Sequence, residues 1–180
     1  DLNEFSSGEF FWRARRRGAP HNVYTDLETL AAAVADREER GRHVPQILYE
    51  LWNFKDDMPE SSGETESVIV NFWPPVYSIE WKYEAEQNRY ARLQSGMPHL
   101  LENGSQIFAN NIAIMVTDVV ILDSIGRRRV RTLGEGKAWI LQDGRTVEGV
   151  WKKPTVKQRL RFYDEAGEEI FWNPGTTWVE

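Results

Sequence analysis

Histidine is the residue type in this chain best suited to proton transfer near neutral pH, and the sequence contains three histidines and no cysteine. His21 and His99 each follow a proline, whose fixed φ angle favours a rigid loop. On such a loop, an imidazole beside Asn22, Arg92 or Glu102 could move a proton to or from a substrate. Each imidazole could equally bond a backbone carbonyl and only stabilise a turn, and the sequence leaves both interpretations open.

Motifs for other kinds of chemistry do not occur in the sequence. The spacing of His21, His43 and His99 matches no metal-ligand pattern, and His43 lies among charged residues typical of a solvated surface. There is no nucleophile elbow or dinucleotide fingerprint, because the Gly-Glu-Gly at 134–136 lacks a third glycine and a following helix. We therefore expect no metal, no cofactor and no catalysis unless His21 and His99 converge in one pocket.

Two arginine-rich segments are the candidates for binding. On a strand, Arg127, Arg129 and Arg131 share one face and form a short cationic ladder. The ladder could meet an anionic wall polymer, lipid headgroups or an acidic partner, or it could pair with neighbouring acids. The second segment contains Arg13 and Arg16 next to three aromatic residues, which indicates an interface.

Charge and hydropathy argue against two classes of protein. The chain has 22 lysines and arginines against 28 acids, a net charge of −6, whereas nucleic-acid binders normally show a basic footprint. The longest apolar run, residues 112–122, is interrupted by Thr117 and Asp118. It falls short of the roughly 20 residues that a membrane-spanning helix needs. We therefore expect neither a nucleic-acid partner nor a spanning helix.

The clearest helix signal lies near the start of the chain. Thr25 and Glu28 have the spacing of a capping box, and Arg40 followed by Gly41 is typical of a helix end. Between them an apolar stripe is formed by Leu27, Leu30, Ala31 and Val34. Residues 45–54 predict a second short helix.

Beyond residue 67 the hydrophobic period changes to two, which is typical of half-buried strands. Hairpin turns are predicted at 85–88, at 143–144, where Asp-Gly suits a type I′ turn, and at 165–167. The pattern predicts an α+β fold, with one or two amino-terminal helices followed by a largely antiparallel, hairpin-rich β-sheet domain. The predicted divisions are a basic and aromatic lead-in with helix at 1–55, an exposed acidic loop at 56–67 and the β-rich domain at 68–180.

Local signatures over nearly the whole chain resemble the YerB-like lipoprotein family, whose function is unknown. The most specific lie in the carboxy-terminal part: Gly134-Glu-Gly136-Lys137, Asp143-Gly144, Gly149-Val-Trp151-Lys152-Lys153, Arg161-Phe162-Tyr163-Asp164, Gly167 and Pro174-Gly175-Thr-Thr177-Trp178-Val179. The earlier parts contribute Ala19-Pro20-His21-Asn22, Trp81-Lys-Tyr83, Tyr90-Ala-Arg92, Pro98-His99 and Asn111-Ile112-Ala-Ile114-Met115.

The resemblance implies an extracytoplasmic protein of the bacterial cell envelope, tethered to the membrane by an anchor upstream of this chain. Family members carry a longer amino-terminal portion, and they tend to have an acid where this chain has Leu101. If that acid has a functional role, the adjacent Glu102 would have to supply it. The expected function is a non-catalytic binding or scaffold module, alone or as a subunit of a membrane-associated assembly. Its expected partner is a protein or a cell-wall polymer. The alternative is an envelope hydrolase or transferase that uses His21 and His99.

Overall fold

The computed structural model describes residues 2–42, 50–57, 67–72 and 74–180. The chain forms two compact units, residues 1–48 and residues 49–180. The predicted acidic loop at 56–67 lies mostly outside the described residues, as does His43, so those predictions stay predictions.

Short strands dominate the described part of the chain. In chain order they are β1 Trp12–Arg13, β2 Val23–Tyr24, β3 Ser67–Val70, β4 Ile79–Glu84, β5 Arg89–Gln94, β6 Met97–Pro98, β7 Phe108–Ala109, β8 Asn111–Met115, β9 Val119–Ile121, β10 Arg128–Val130, β11 Gly134–Gln142, β12 Arg145–Lys153, β13 Arg161–Asp164 and β14 Thr177–Val179. The helical elements that the structure describes are α1 Leu27–Glu39 and three 3₁₀ turns, Gly8–Phe10, Pro75–Tyr77 and Ala85–Gln87. The predicted α+β class is confirmed.

Helix α1 is capped one residue later than the sequence predicts. Asp26 is the N-cap, and its carboxylate accepts the Thr29 backbone N–H at 2.7 Å. The Thr25 hydroxyl donates instead to the Phe10 carbonyl at 2.9 Å. The predicted capping box at Thr25 is therefore wrong. The Thr25 hydroxyl bonds a residue outside the helix, and the carboxylate of Asp26 caps the helix instead.

The buried side of α1 also differs from the predicted stripe. Ala33 is fully buried, whereas Leu27 is 85% exposed and Val34 is 40% exposed. A helix buries the face that meets a neighbouring element, and its larger apolar residues alone do not identify that face. The predicted helix end is confirmed: Gly41 has a φ of 69°, and its N–H donates to the Glu38 carbonyl at 2.9 Å.

Two five-stranded sheets make up most of the second unit. The sheet with the longer strands, which we call the larger sheet, has the order β13-β12-β11-β8-β14. Its pairs are antiparallel except for β8 with β14. The smaller has the order β3-β4-β5-β6, with β7 also paired to β5, and its pairs are antiparallel. The prediction of a largely antiparallel sheet domain is confirmed. Strands β9 and β10 form a separate two-stranded pair.

The three predicted hairpin turns are confirmed. Asp143 and Gly144 have φ angles of 56° and 72°, as a type I′ turn requires, and they join β11 to β12. The turn between β4 and β5 ends on Asn88, which has a φ of 44°. Gly167 has a φ of 87°, and its N–H donates to the Asp164 carbonyl at 3.1 Å after β13.

The chain at 50–54 is not helical. Phe54 forms a parallel bridge with Trp172, whose N–H donates to the Asn53 carbonyl at 2.9 Å. The Trp52 ring stacks on Trp172 with a centroid distance of 5.0 Å. The prediction of a second helix is therefore wrong for residues 50–54, because backbone groups in this segment pair with Trp172. Residues 45–49 lie outside the described part of the chain.

Two apolar clusters pack on opposite faces of the larger sheet, because successive strand residues point to opposite faces. One cluster contains Trp151 and Trp172, and the other contains Trp81 and Tyr90 together with further residues of the smaller sheet. Each of these four side chains is at most 1% exposed. Burial of one such ring stabilises the fold by about 3 kcal/mol, so these aromatic residues account for much of the core.

Candidate functional site

Strands β9 and β10 with their turn and flanking residues, 117–133 in all, form a two-stranded element that we call the ribbon. It contains the predicted binding residues Arg127, Arg129 and Arg131. Strand β10 covers only Arg128–Val130, so Arg129 is the one of the three that lies within the strand, opposite Val120.

Two of the predicted binding arginines pair with acids inside the ribbon. Arg127 bonds the Asp123 carboxylate, and Arg131 bonds that of Asp118 at 2.7 Å. The hydrogen bond from Arg127 holds the pKa of Asp123 below its ordinary value. The sequence left open whether these arginines bind a partner or pair with neighbouring acids, and in the structure both pair with neighbouring acids.

Arg131 also ties the base of the ribbon to the larger sheet. Its Nη1 donates to the Glu135 carbonyl at 2.9 Å, and its guanidinium carbon lies 5.2 Å from the centroid of the Trp151 ring. The Thr117 hydroxyl donates to the Arg131 carbonyl at 2.5 Å. These contacts hold the base of the ribbon against the larger sheet.

Aliphatic side chains of the ribbon are exposed on both of its faces. Their exposed fractions run from 38% to 82%, and the seven residues are Val119, Val120, Ile121, Leu122, Ile125, Val130 and Leu133. A groove of about 520 Å³ lies beside them and is lined by Val120, Arg129 and Leu133 among others. Apolar residues grouped in this way commonly mark an interaction site.

Sequence reasoning found the arginines of this element and missed its aliphatic residues. The available signal was the unbroken run of four aliphatic residues at 119–122. A half-buried strand alternates apolar with polar residues, so an unbroken run indicates two buried faces or two exposed apolar faces.

The structure brings two candidate catalytic residues together, Arg92 and His99. Nη1 of Arg92 bonds Nδ1 of His99, and its Nη2 lies 3.2 Å from the Glu180 carboxylate. Arg92 is 6% exposed, and its guanidinium carbon lies 5.6 and 4.7 Å from the centroids of the Trp81 and Trp178 rings. Its bonding capacity is thus largely used by the protein itself.

Burial lowers the pKa of His99 and the Arg92 cation lowers it further, while the Glu180 carboxylate acts in the opposite direction. The His99 backbone N–H also donates to the Arg92 carbonyl at 3.0 Å. Burial and the Arg92 cation both favour the neutral imidazole, which takes part in fixing the local structure.

The remaining candidates are distributed over both units. His21 is exposed and Asn22 half-buried in the first unit, whereas Glu102 is exposed in the second, three residues beyond His99. Asn22 accepts from Arg13 at 2.7 Å and donates to the Ala14 carbonyl at 3.4 Å. A single pocket formed by His21 and His99 stays a prediction.

The basic segment of the first unit is partly paired. Arg13 donates to the Glu4 carboxylate at 2.9 Å and is exposed, as is Arg16. The guanidinium of Arg17 lies 6.0 Å from the centroid of the Tyr24 ring. Binding through Arg13 and Arg16 stays a prediction.

A polar cluster around Asp143 was not found from the sequence. Its carboxylate accepts from Lys55 at 2.5 Å, from Asn88 at 2.8 Å and from Asn173 at 2.7 Å. Burial alone would raise the pKa of Asp143, but these three hydrogen bonds outweigh it and hold the pKa below its ordinary value. Nothing in the spacing of residues 55, 88, 143 and 173 indicates that they meet. Because protein donors bond both carboxylate oxygens, we interpret the cluster as structural. We call these four residues, Lys55, Asn88, Asp143 and Asn173, the clasp.

A shallow depression of about 770 Å³ lies over β11, β12 and β13. Its charged residues pair across the strands, Lys137 with Glu148 at 2.7 Å and Lys152 with Glu135 at 3.9 Å. Cross-strand pairs of this kind are typical of a solvated sheet face.

Within the described ranges, no group of three or more histidine, aspartate or glutamate side chains is placed to hold a metal ion. The described residues also include no helix that is long and apolar enough to cross a membrane.

Comparisons with known proteins relate the chain to a family of unknown function and to a bacterial protein. A family profile described as "Protein of unknown function (DUF3048) C-terminal domain" matches residues 68–179. The chain is 27% identical over 175 residues to "Putative lipoprotein YerB" of Bacillus subtilis (strain 168), covering 96% of this chain and 51% of that protein. The crystal structure of YerB protein from Bacillus subtilis matches with a TM-score of 0.75 and 26% identity, over 99% of this chain and 58% of that one. The chain thus spans about half the length of the relative.

Proposed function

The chain belongs to the DUF3048 family through its C-terminal domain, and from this premise we propose that it is a non-catalytic binding module of the cell envelope that docks through the ribbon. The observation that carries the proposal is the set of seven exposed aliphatic side chains on this element. Membership of a family of unknown function supplies no chemistry, so the function has to be inferred from the surface.

The size of the apolar surface favours docking. Complete burial of one valine, leucine or isoleucine side chain contributes about 2 kcal/mol. The ribbon offers seven such side chains, already partly ordered by strand pairing. Burial of half of them would supply several kcal/mol, enough to offset the entropy that a weak complex loses.

The polar clusters of the second unit support a binding role over a catalytic one. Arg92 is bonded to His99 and Glu180, and Asp143 is bonded to three donors. A catalytic group has to reach a substrate, and these groups are held by the protein.

The envelope location is part of the proposal. The relative YerB is named a putative lipoprotein, and the same location for this chain would place the ribbon among membrane and wall components. An anchor upstream of this chain would then hold the module at the membrane.

The test is co-sedimentation of the purified chain with envelope fractions of the host bacterium. The ribbon variant Ile121→Ser with Ile125→Ser is compared with Val156→Ser, which alters an aliphatic residue that is 78% exposed outside the ribbon. We expect the wild type and Val156→Ser to sediment equally and the ribbon variant to bind at least tenfold more weakly. Equal sedimentation of all three proteins would contradict docking through the ribbon.

A further inference from the structure

We propose that the occupant of the ribbon is an anionic lipid surface, with the aliphatic side chains in the interfacial layer and Arg128 and Arg129 on phosphate oxygens. This inference rests on the proposed function and names the class of its ligand.

The exposure of both faces favours a lipid layer over a flat protein surface. Val119, Ile121 and Val130 lie on one face of the strand pair, and Val120 lies with Leu122 on the other. A flat partner covers one face and leaves the other in water. A layer of headgroups and upper acyl chains surrounds both faces at once, as it surrounds interfacial apolar residues in general.

The tip of the ribbon has the shape that shallow insertion needs. Ile125 is 82% exposed at the turn, and the turn is held by Asp123, whose carboxylate accepts the N–H groups of Ile125 and Arg127 at 3.0 and 3.3 Å. The apolar tip is therefore presented by a preformed turn, and little conformational entropy is lost on insertion.

The charge of the ribbon is complementary to an anionic surface. Residues 117–133 contain four arginines and two aspartates, a local net charge of +2 in a chain of net charge −6. Arg127 and Arg131 pair with those aspartates, while Arg128 and Arg129 are exposed and have no ion pair with a described residue. Guanidinium groups bind phosphate oxygens through paired hydrogen bonds, so these two arginines suit lipid phosphates.

Arg129 has a site for a headgroup beside it. The groove of about 520 Å³ beside the ribbon is lined by Arg129 and the aliphatic Val120, Val130 and Leu133, and also by Asp118 and Arg131, which pair with each other. A phosphate at its mouth would meet the Arg129 guanidinium while its acyl chains meet the aliphatic side chains.

The test measures binding of the whole chain to protein-free vesicles by co-sedimentation. One vesicle set contains equal parts of phosphatidylglycerol and phosphatidylcholine, and the other contains phosphatidylcholine alone. Arg128→Gln with Arg129→Gln is compared with Arg15→Gln with Arg16→Gln, which removes the same charge from exposed residues of the first unit. Circular dichroism verifies that each variant is folded.

We expect binding to the anionic vesicles, at least tenfold weaker binding to phosphatidylcholine and a similar loss in 0.5 M salt, where charges are screened within about 4 Å. The affinity for anionic vesicles should fall at least tenfold in the Arg128/Arg129 variant and less than twofold in the Arg15/Arg16 variant. Retention on native envelope fractions without binding to anionic vesicles would overturn the lipid ligand, leave the docking function intact and indicate a protein or wall-polymer partner. A loss of vesicle binding confined to the Arg15/Arg16 variant would also overturn the lipid ligand. If the wild-type chain binds neither anionic vesicles nor native envelope fractions, the proposed function is overturned as well.

Discussion

Asn88 Nδ2 donates to Asp143 Oδ1 at 2.8 Å, and this bond joins the turn of one hairpin to the turn of another. Asn88 ends the β4–β5 turn with a φ of 44°, and Asp143 begins the β11–β12 turn with a φ of 56°. The two hairpins belong to different sheets, so a pair of left-handed turn residues connects the sheets at this edge. Lys55 and Asn173 complete the clasp on the same carboxylate.

Replacement of Asp143 by Asn should lower the free energy of unfolding at pH 7 by about 2 kcal/mol, because hydrogen bonds to a charged acceptor are lost. Asn tolerates the left-handed turn conformation, so the change affects mainly the clasp. Chemical denaturation at pH 7 measures the loss. The exposed Asp56→Asn is the control, and an equal loss in both variants would contradict the clasp.

The same carboxylate should make stability depend on pH. Its folded pKa is lower than the ordinary value of 3.8, so the unfolded chain takes up the proton first as the pH falls. The stabilisation is complete above about pH 5 and is lost as the pH falls through 3.8 towards the folded pKa. Between pH 5 and pH 3 the wild type should therefore lose more stability than Asp143→Asn, and parallel pH profiles would argue against this assignment.

Replacement of Gly149 by Ala should be strongly destabilising, by about 3 kcal/mol. A Cβ at this position would lie 2.0 Å from the Tyr163 carbonyl oxygen, which belongs to the backbone of the neighbouring strand and cannot rotate away. Urea denaturation measures the effect, with Val150→Ala on the same strand as the control at less than about 1 kcal/mol. Wild-type stability for Gly149→Ala would mean that β12 and β13 do not approach so closely.

Replacement of Asn111 by Leu should cost about 3 kcal/mol, because two buried backbone groups lose their partners. The Asn111 side chain accepts the Asn173 N–H at 3.0 Å and donates to the Asn173 carbonyl at 2.9 Å. Thr177→Val is the matched control, since it removes only the hydroxyl that accepts from the same amide at 3.1 Å. Denaturation curves should separate the two variants clearly, and a Leu variant as stable as the Val variant would be unexpected.

The imidazole of His99 should titrate below 6.5 in an NMR pH titration, since burial and the Arg92 cation both disfavour its charged form. Arg92→Met should raise the midpoint by removing the cation, and Glu180→Gln should lower it by removing the anion. Opposite shifts from the two variants distinguish an electrostatic effect from general loosening of the fold. Shifts in the same direction would contradict the described arrangement.

Local chemistry explains what the sequence predicted correctly. The Asp143-Gly144 turn, the turns ending at Asn88 and Gly167, and the helix end at Gly41 each depend on a residue that tolerates positive φ. That tolerance belongs to the residue itself, so it can be predicted without knowledge of its neighbours. The change of period beyond residue 67 predicted the strands because successive residues of a strand point to opposite faces, so a half-buried strand alternates apolar with polar residues.

Tertiary packing decided the rest. Three features depend on neighbours brought together by the fold: the buried face of α1, the bridge of Phe54 with Trp172 in place of a helix, and the acids that pair with Arg127 and Arg131. The clasp joins residues 55, 88, 143 and 173, whose separation in the chain hides their contact. The sequence by itself determined the turns, the strand-rich part beyond residue 67 and the family, because these depend on local conformational preferences and residue patterns. Only the tertiary structure decided that the aliphatic residues of the ribbon face solvent, because exposure depends on whether another part of the fold covers them.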